Sequence, residues 1–371
     1  MPGVRVAFDV GPVRNQPAGV GIFASSMAEA LSAALGAGEL VLIGKRRDVG
    51  GLPDRPSRPL TRGGYLGWLQ TRASLDVRRA RADVGHFSDG MVPIVRGART
   101  VVTIHDLSVV RSWRTHPTRR LLRIPFVLTA PRMADLVIVP SRATADEVMR
   151  LTRTRSDKIE VVPNAPRDRI TSTDDRAIDA TLRGHGLDRY GYILALGTIE
   201  PRKNLVRLVD AFERLVSAEA IPPDLKLVIA GHVGWRAARI LQRIDTSPAA
   251  ARILRLGYVP APDLNALLAG AAAVAYPSLY EGFGLPVVEA MAHGAPTVTS
   301  NLSSMPEVAG DAAFLVDPYD PEDIARGLEI ALRAGDSDRP GVAARSIAQA
   351  SQFSWKRSAS ATVELYRSRL A

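Results

Sequence analysis

The chain has 371 residues, 46% apolar and 23% charged, a globular balance that excludes disorder and a length that one core rarely serves, so two domains are expected. The absence of cysteine excludes disulfides, thiolate catalysis and cysteine–zinc sites, and no apolar run reaches the roughly 20 residues that cross a bilayer. The net charge of +10 is uneven: residues 1–170 carry 27 Lys+Arg against 15 Asp+Glu, a surplus of 12, whereas residues 171–371 carry 21 against 23, a deficit of 2.

Short β-branched runs alternate with helical stretches along the chain. Strands are expected at Val4–Val10, Leu40–Ile43, Thr100–Ile104, Leu136–Val139 and Ile159–Val162. Helices are expected at Val20–Leu35, Arg119–Met133 and Ala143–Leu151, with Pro125 and Pro131 kinking or dividing the second. A basic stretch, residues 51–82, reads as loop plus irregular helix. The polar segment Asn164–Asp188 breaks the pattern, with a linker placed at Pro166–Thr173 and Asp174-Asp175 taken as solvated within it. Strands then resume at Tyr192–Leu196, Leu225–Ala230, Ile253–Leu256, Ala273–Tyr276, Thr297–Thr299 and Phe314–Val316, and Phe353–Leu370 reads as a closing amphipathic helix.

This alternation implies α/β architecture, two doubly wound parallel-sheet domains of Rossmann type facing across a cleft. The expected division is 1–170, 171–353 and a helix over 354–371 that crosses back to the first domain, leaving a hinge for closure around substrates. The N-terminus runs into its strand without a signal-peptide h-region, which points to a cytoplasmic protein. The basic first half points to an anionic partner, lipid headgroups or a lipid-linked phosphate, or else to arginine-rich coding. Tyr65, Trp68 and Trp113 are candidates for a membrane face or for core. Nucleic acid is not expected, because that half shows no recognisable motif or stacking platform.

Four segments carry chemistry. In Tyr276–Met291 (YPSLYEGFGLPVVEAM) a strand end leads through two glycines, Gly282 and Gly284, into a helix with Pro286 in its first turn. Glycine lets backbone N–H groups approach an anion, and the helix start adds positive dipole, so the segment suits a diphosphate. Glu281 and Glu289 bracket it and are expected to accept from sugar hydroxyls, against the plainer alternative that Glu281 caps the helix. In Gly197–Leu205 (GTIEPRKNL) the cations Arg202 and Lys203 stand at a strand-to-helix turn. Cations oppose a helix dipole there unless an anion is bound, so the pair suits a diphosphate leaving group. His105 ends a strand in Thr103–Leu107, with Asp106 the expected orienter of its ring. Pro17–Ile22 (PAGVGI) is a short glycine loop containing Gly19 and Gly21, which could approach a phosphate or an acceptor.

These segments together resemble family 4 glycosyltransferases (GT4), retaining enzymes of the two-Rossmann-domain GT-B fold. The resemblance runs from about Val4 to Leu315 and is strongest in the E-x7-E pair Glu281 and Glu289 and in the G-T-x-x-P-R-K-N element. It implies that Glu281 faces the donor sugar, that Glu289 holds the ribose, and that the backbone at Phe283, Gly284 and Leu285 contacts sugar and diphosphate. It also implies that Arg202 and Lys203 bind the phosphates and that His105 lies near the donor sugar. Gly231 and Tyr258-Val259-Pro260 fall where donor and nucleobase contacts are common, and Gly19-Val20-Gly21 matches the family's glycine loop.

The expected reaction is metal-independent transfer of a hexose, with retention, from a nucleotide-diphosphate sugar to a glycan, glycolipid or small acceptor. No cofactor is expected beyond the donor. The E-P-R-K-N form favours GDP-mannose over UDP-sugars, and polysaccharide biosynthesis as the setting, with possible docking on the inner membrane face. No D-x-D metal motif lies near the site, and two cations can take a metal's electrostatic role. The alternatives are a sugar-nucleotide epimerase on the same scaffold and a non-catalytic basic module for membrane or nucleic acid.

Overall fold

The computed structural model describes residues 3–13, 19–44, 64–111, 121–167 and 174–370. It divides into two compact units, an N-terminal one built from the described residues up to 167 with 353–370, and a C-terminal one built from 174–352. Residues 168–173 of the expected linker, Pro17 and Ala18 of the glycine loop, residues 51–63 of the basic stretch, Arg119 and Arg120 of the second expected helix, and Trp113 lie outside the described residues.

The N-terminal unit holds a six-stranded sheet, all pairs parallel: β1 (Val6–Asp9), β2 (Leu40–Ile43), β3 (Val84–Phe87), β4 (Arg99–Thr103), β5 (Leu136–Val139) and β6 (Ile159–Val161), in spatial order β2-β1-β3-β4-β5-β6. Its helices are α1 (Val20–Ala34), α2 (Gly64–Thr71), α3 (Ala73–Arg79), α4 (Ser108–Arg111), α5 (Ile124–Met133) and α6 (Arg142–Thr152). Alternate residues of β1 enter different cores, Val6 and Phe8 on one face and Ala7 on the other, so both faces of the strand are apolar up to the buried Asp9 at its end. Strand β3 was not expected: Val84-Gly85-His86-Phe87 contains a glycine and a histidine, both poor strand signals, yet it is buried throughout. Pro125 does not divide α5 but stands in its first turn, where the missing N–H costs nothing, and Pro131 lies inside the same helix.

The C-terminal unit holds a second all-parallel sheet of β7 (Tyr192–Leu196), β8 (Lys226–Ala230), β9 (Ile253–Gly257), β10 (Ala273–Tyr276), β11 (Thr297–Ser300) and β12 (Phe314–Val316), in order β12-β11-β10-β7-β8-β9. The helices are α7 (Asp175–Gly184), α8 (Leu205–Ser217), α9 (Ala238–Asp245), α10 (Ala261–Gly270), α11 (Leu285–Ala292), α12 (Met305–Ala309) and α13 (Pro321–Ala350). Asp174 and Asp175 are not free linker acids. Asp174 caps α7 by accepting from the Arg176 N–H at 3.0 Å, and Asp175 pairs with Arg189 at 2.9 Å.

The last helix, α14 (Trp355–Arg369), belongs to the N-terminal unit, where it packs beside α1 and its Trp355, Val363 and Tyr366 enter the core. Its Tyr366 hydroxyl meets His86 Nδ1 at 2.5 Å, and His86 Nε2 meets the Thr103 hydroxyl at 2.7 Å. Burial pushes the His86 ring down to about 3, so it is a neutral core histidine.

Candidate active site

The strand order of the C-terminal sheet reverses between β7 and β10. The chain leaves β7 toward β8 on one side and leaves β10 toward β11 on the other. In open parallel sheets such a switch point, beyond the carboxyl ends of the strands, is where ligands bind. The two strongest sequence motifs emerge there side by side, Gly197–Leu205 from β7 and Pro277–Gly284 from β10.

Backbone geometry holds the two exits together. After β7 a single 3-10 turn, Pro201–Lys203, ends at Asn204, which adopts a left-handed φ of 60°. Its buried side-chain amide donates to the carbonyls of Pro277 (3.1 Å) and Pro318 (2.6 Å), and the Leu279 N–H donates to the Arg202 carbonyl at 2.9 Å. The loop after β10 is pinned in turn by Ser303, whose hydroxyl accepts from the Glu281 N–H at 3.1 Å, and by Ser304, which donates to the carbonyls of Glu281 and Phe283, both at 3.0 Å.

This frame brings Arg202, Lys203 and Glu281 into one cluster. Arg202 donates to Glu281 Oε2 at 2.5 Å and to Glu200 at 2.9 Å, and Lys203 donates to Glu281 Oε1 at 2.7 Å. The Tyr276 hydroxyl donates to the same Oε1 at 2.9 Å and accepts from Lys203, whose ammonium also lies 4.6 Å from the Tyr276 ring centre. Burial alone would raise the Glu281 carboxyl, but the two cations outweigh it and hold the group down at about 2. Burial pushes Lys203 below its ordinary range, opposed by Glu281, while burial raises Glu200 against the pull of Arg202. Glu281 therefore keeps two poorly solvated cations charged and in place. Solvent does not cover this basic turn: the side chains of Arg202 and Lys203 are only 22% and 10% exposed.

Glu281 does not cap α11. Gly284 occupies the cap position at φ 104°, and a Cβ there would lie 2.3 Å from the Met305 methyl, so the position requires glycine. Gly282 and Phe283 are buried in the same loop, Leu285 opens α11, and Glu289 is buried inside it. Along the sheet edge Gly197, Gly231 and Gly257 end or follow β7, β8 and β9. A Cβ on Gly231 would fall 2.0 Å from the Gly197 carbonyl oxygen, so the two exits run in direct contact. Beyond them Tyr258 and His232 stack face to face with ring centres 4.7 Å apart, while Val259 turns its side chain into the core.

In the N-terminal unit His105 follows β4, but Asp106 does not orient it. The Asp106 carboxylate accepts from the Ser108 N–H at 2.9 Å, and His105 Nε2 instead meets the Ser88 carbonyl at 2.8 Å. The ring packs edge-on against Phe23, 4.6 Å away, and burial lowers its basicity. Because the Phe23 N–H bonds the Gly19 carbonyl, His105 lies against the helix that Gly19 and Gly21 begin. Beside it Asp9 at the end of β1 is fully buried, taking hydrogen bonds from the Tyr65 hydroxyl and the Gly11 N–H (2.8 Å). Burial lifts its carboxyl to about 7. Sequence reasoning missed Glu200, Tyr276, Asn204 and Asp9 as members of these clusters. The first three lie inside the motifs already singled out, but only the pairing of β7 with β10 shows what they touch.

The model of "Glycosyltransferase Family 4" matches residues 18–165, and that of "Glycosyl transferases group 1" matches residues 180–345. The O-antigen chain mannosyltransferase B of Escherichia coli is 35% identical over 270 residues, covering 72% of this chain and 70% of the relative. The chain belongs to glycosyltransferase family 4. It is a glycosyltransferase, and its two parallel sheets with flanking helices are those of the GT-B fold. The serotype-specific mannosyltransferase WbdA of Escherichia coli is 33% identical over 238 residues, covering 62% of this glycosyltransferase but only 28% of WbdA. Among solved structures, Anabaena HepE in complex with UDP and glucose superposes with a TM-score of 0.74 at 19% identity, over 98% of this chain and 100% of HepE.

Proposed function

We propose that this glycosyltransferase moves a mannosyl residue from GDP-mannose to a growing glycan, with retention of configuration and without a metal ion. The observation that carries the reading is the cluster at the β7/β10 switch point, where Arg202 and Lys203 stand charged, mostly buried and fixed by Glu281. A diphosphate develops negative charge as the glycosidic bond breaks, and two preorganised cations in a poorly solvated site stabilise that charge without reorganising. The names of the two Escherichia coli relatives support mannose as the sugar and a polysaccharide as the product.

Both carboxylate oxygens of Glu281 are engaged, Oε2 by Arg202 and Oε1 by Lys203 and Tyr276, so the group is a poor nucleophile. That favours a same-face route in which the leaving diphosphate takes the acceptor hydroxyl's proton, over a double displacement through a glycosyl-enzyme. Gly197 and Gly231 leave the sheet edge free of side chains. From β7 to β9 is two strand spacings, about 10 Å, so a nucleotide with its phosphates at Lys203 would place its base near Tyr258 and Val259. Gly282, Gly284 and the backbone at Phe283 and Leu285 border the sugar and phosphates, and Glu289 takes the ribose. Among the described residues no three His, Asp or Glu side chains are grouped to hold a metal.

The test is thermal unfolding with GDP, UDP and dTDP, followed by transfer assays with GDP-mannose and EDTA. At a hundredfold its dissociation constant a ligand adds about 2.7 kcal/mol of stability. GDP is expected to stabilise the enzyme and UDP not, with transfer unaffected by EDTA and the product anomer matching the donor. Loss of transfer in EDTA that metal restores, or inversion at the anomeric carbon, overturns the corresponding part of the reading.

A further inference from the structure

The N-terminal unit presents an exposed surface that the donor chemistry does not use. Segment 91–99 returns from β3 to β4 with Met91, Val92 and Pro93 buried, and then turns outward. Ile94 and Val95 stand 64% and 62% exposed, and Leu75 on α3 is 44% exposed. Large aliphatic side chains left in water cost free energy, and here the backbone holds them outward. The Ile94 N–H donates to Gln70 at 3.0 Å, Gln70 donates back to the Val92 carbonyl at 3.1 Å, and the Ser74 hydroxyl donates to the Val95 carbonyl. These bonds tie the segment to α2 and α3 as one surface.

Around the aliphatic side chains arginines outnumber acids. Arg72, Leu75 and Arg79 fall at helical spacing on one exposed face of the α2–α3 corner. Arg78 reaches across to the Arg96 carbonyl at 3.4 Å, and Arg96 and Arg99 share a single acid, Asp135, at 3.6 and 3.7 Å. Nearby carboxylates are engaged within the unit: Asp76 accepts from the Trp68 indole and Asp83 from the Arg5 N–H, both at 2.9 Å. Two of the aromatic residues named from the sequence are not part of this face. Trp68 is buried, and Tyr65 is tied to Asp9.

We propose that this face docks on an anionic phospholipid bilayer, with Ile94, Val95 and Leu75 entering the headgroup–acyl boundary and the surrounding guanidinium groups meeting lipid phosphates. Aliphatic side chains ringed by arginine suit that boundary, where apolar burial and attraction to anionic lipid act together. A nucleic-acid surface would need stacking aromatics or a tracked groove, and among the described residues this face has neither. A stable protein interface uses some 20–30 residues a side, far more than this cluster supplies. The proposal stands apart from the donor reading, and its test measures partition rather than transfer.

The test is co-sedimentation of the full chain with vesicles of phosphatidylcholine plus phosphatidylglycerol, against phosphatidylcholine alone. The wild type is expected to bind the anionic vesicles only. The pairs Ile94→Ser/Val95→Ser and Arg72→Glu/Arg79→Glu should each weaken binding at least tenfold without shifting the melting temperature. Reversing two exposed arginines of the C-terminal unit, Arg214→Glu/Arg239→Glu, makes the same change in net charge and should leave binding intact. Failure of the wild type to bind, equal loss from the Arg214/Arg239 pair, or binding insensitive to the serine pair and matched by soluble heparin each overturns the proposal.

Discussion

Replacing Lys203 by methionine removes one of the two cations that hold Glu281 while keeping most of the buried stem. Glu281 is left with Arg202 at 2.5 Å and the Tyr276 hydroxyl at 2.9 Å. Removing one partner of a buried ion pair costs about 3–5 kcal/mol, and because Arg202 remains the low end applies, about 3 kcal/mol. In a unit of this size 1 kcal/mol moves the melting temperature by roughly 2–4 °C, so a fall of about 6–12 °C is expected. Glu281→Gln should cost a similar amount, since it leaves two mostly buried cations side by side. The double variant removes both charges at once, so its loss should resemble either single one, a coupling of about 2–3 kcal/mol. Calorimetric melting at neutral pH reads the stabilities, and titration calorimetry with GDP reads donor affinity. Adding Glu281→Gln to the Lys203→Met chain is expected to cost little further stability and not to recover nucleotide affinity, because in the proposed site it is the cation that meets the diphosphate. Additive losses would show that the cluster is not one unit, and unchanged GDP affinity in Lys203→Met would remove the electrostatic basis of the proposed function.

Two further predictions concern the N-terminal unit. Asp9 has a folded pKa of about 7, raised by burial above an unfolded value of roughly 3.9. Its contribution is therefore complete below about pH 4 and is lost as pH rises through 7, up to about 4 kcal/mol. Melting profiles of Asp9→Asn should lack this decline between about pH 4 and 7, and parallel profiles for variant and wild type would contradict the assignment. Tyr366→Phe takes away the hydroxyl that meets His86 Nδ1 in the core. A buried polar atom left without a partner costs about 1–3 kcal/mol, and denaturant unfolding should show that loss together with faster proteolysis of the C-terminal helix. Wild-type stability would mean that this contact does not secure α14.

Two chemical signals were legible without any structure: the strand-to-helix turns at Gly197–Leu205 and Tyr276–Met291, and the cationic pair placed against a helix dipole. Apolar runs of three to five residues between helices have few alternatives to a buried parallel strand, because both faces must be covered. For that reason β2, β5, β7, β10 and β12 were read from the chain with their bounds. Strand β3 was not, since its glycine and histidine gain their place only from neighbours on both sides. Tertiary structure alone decided that β7 lies beside β10 as well as beside its sequence neighbour β8, and so that Arg202 and Lys203 meet Glu281 some 78 residues later. It also decided that His105 takes its partner from Ser88 and not from adjacent Asp106, and that Trp68 is core. Local spacing reports which way a side chain can point along its own element. Which charges share a site depends on strand order, and that is set by the packing of the whole unit.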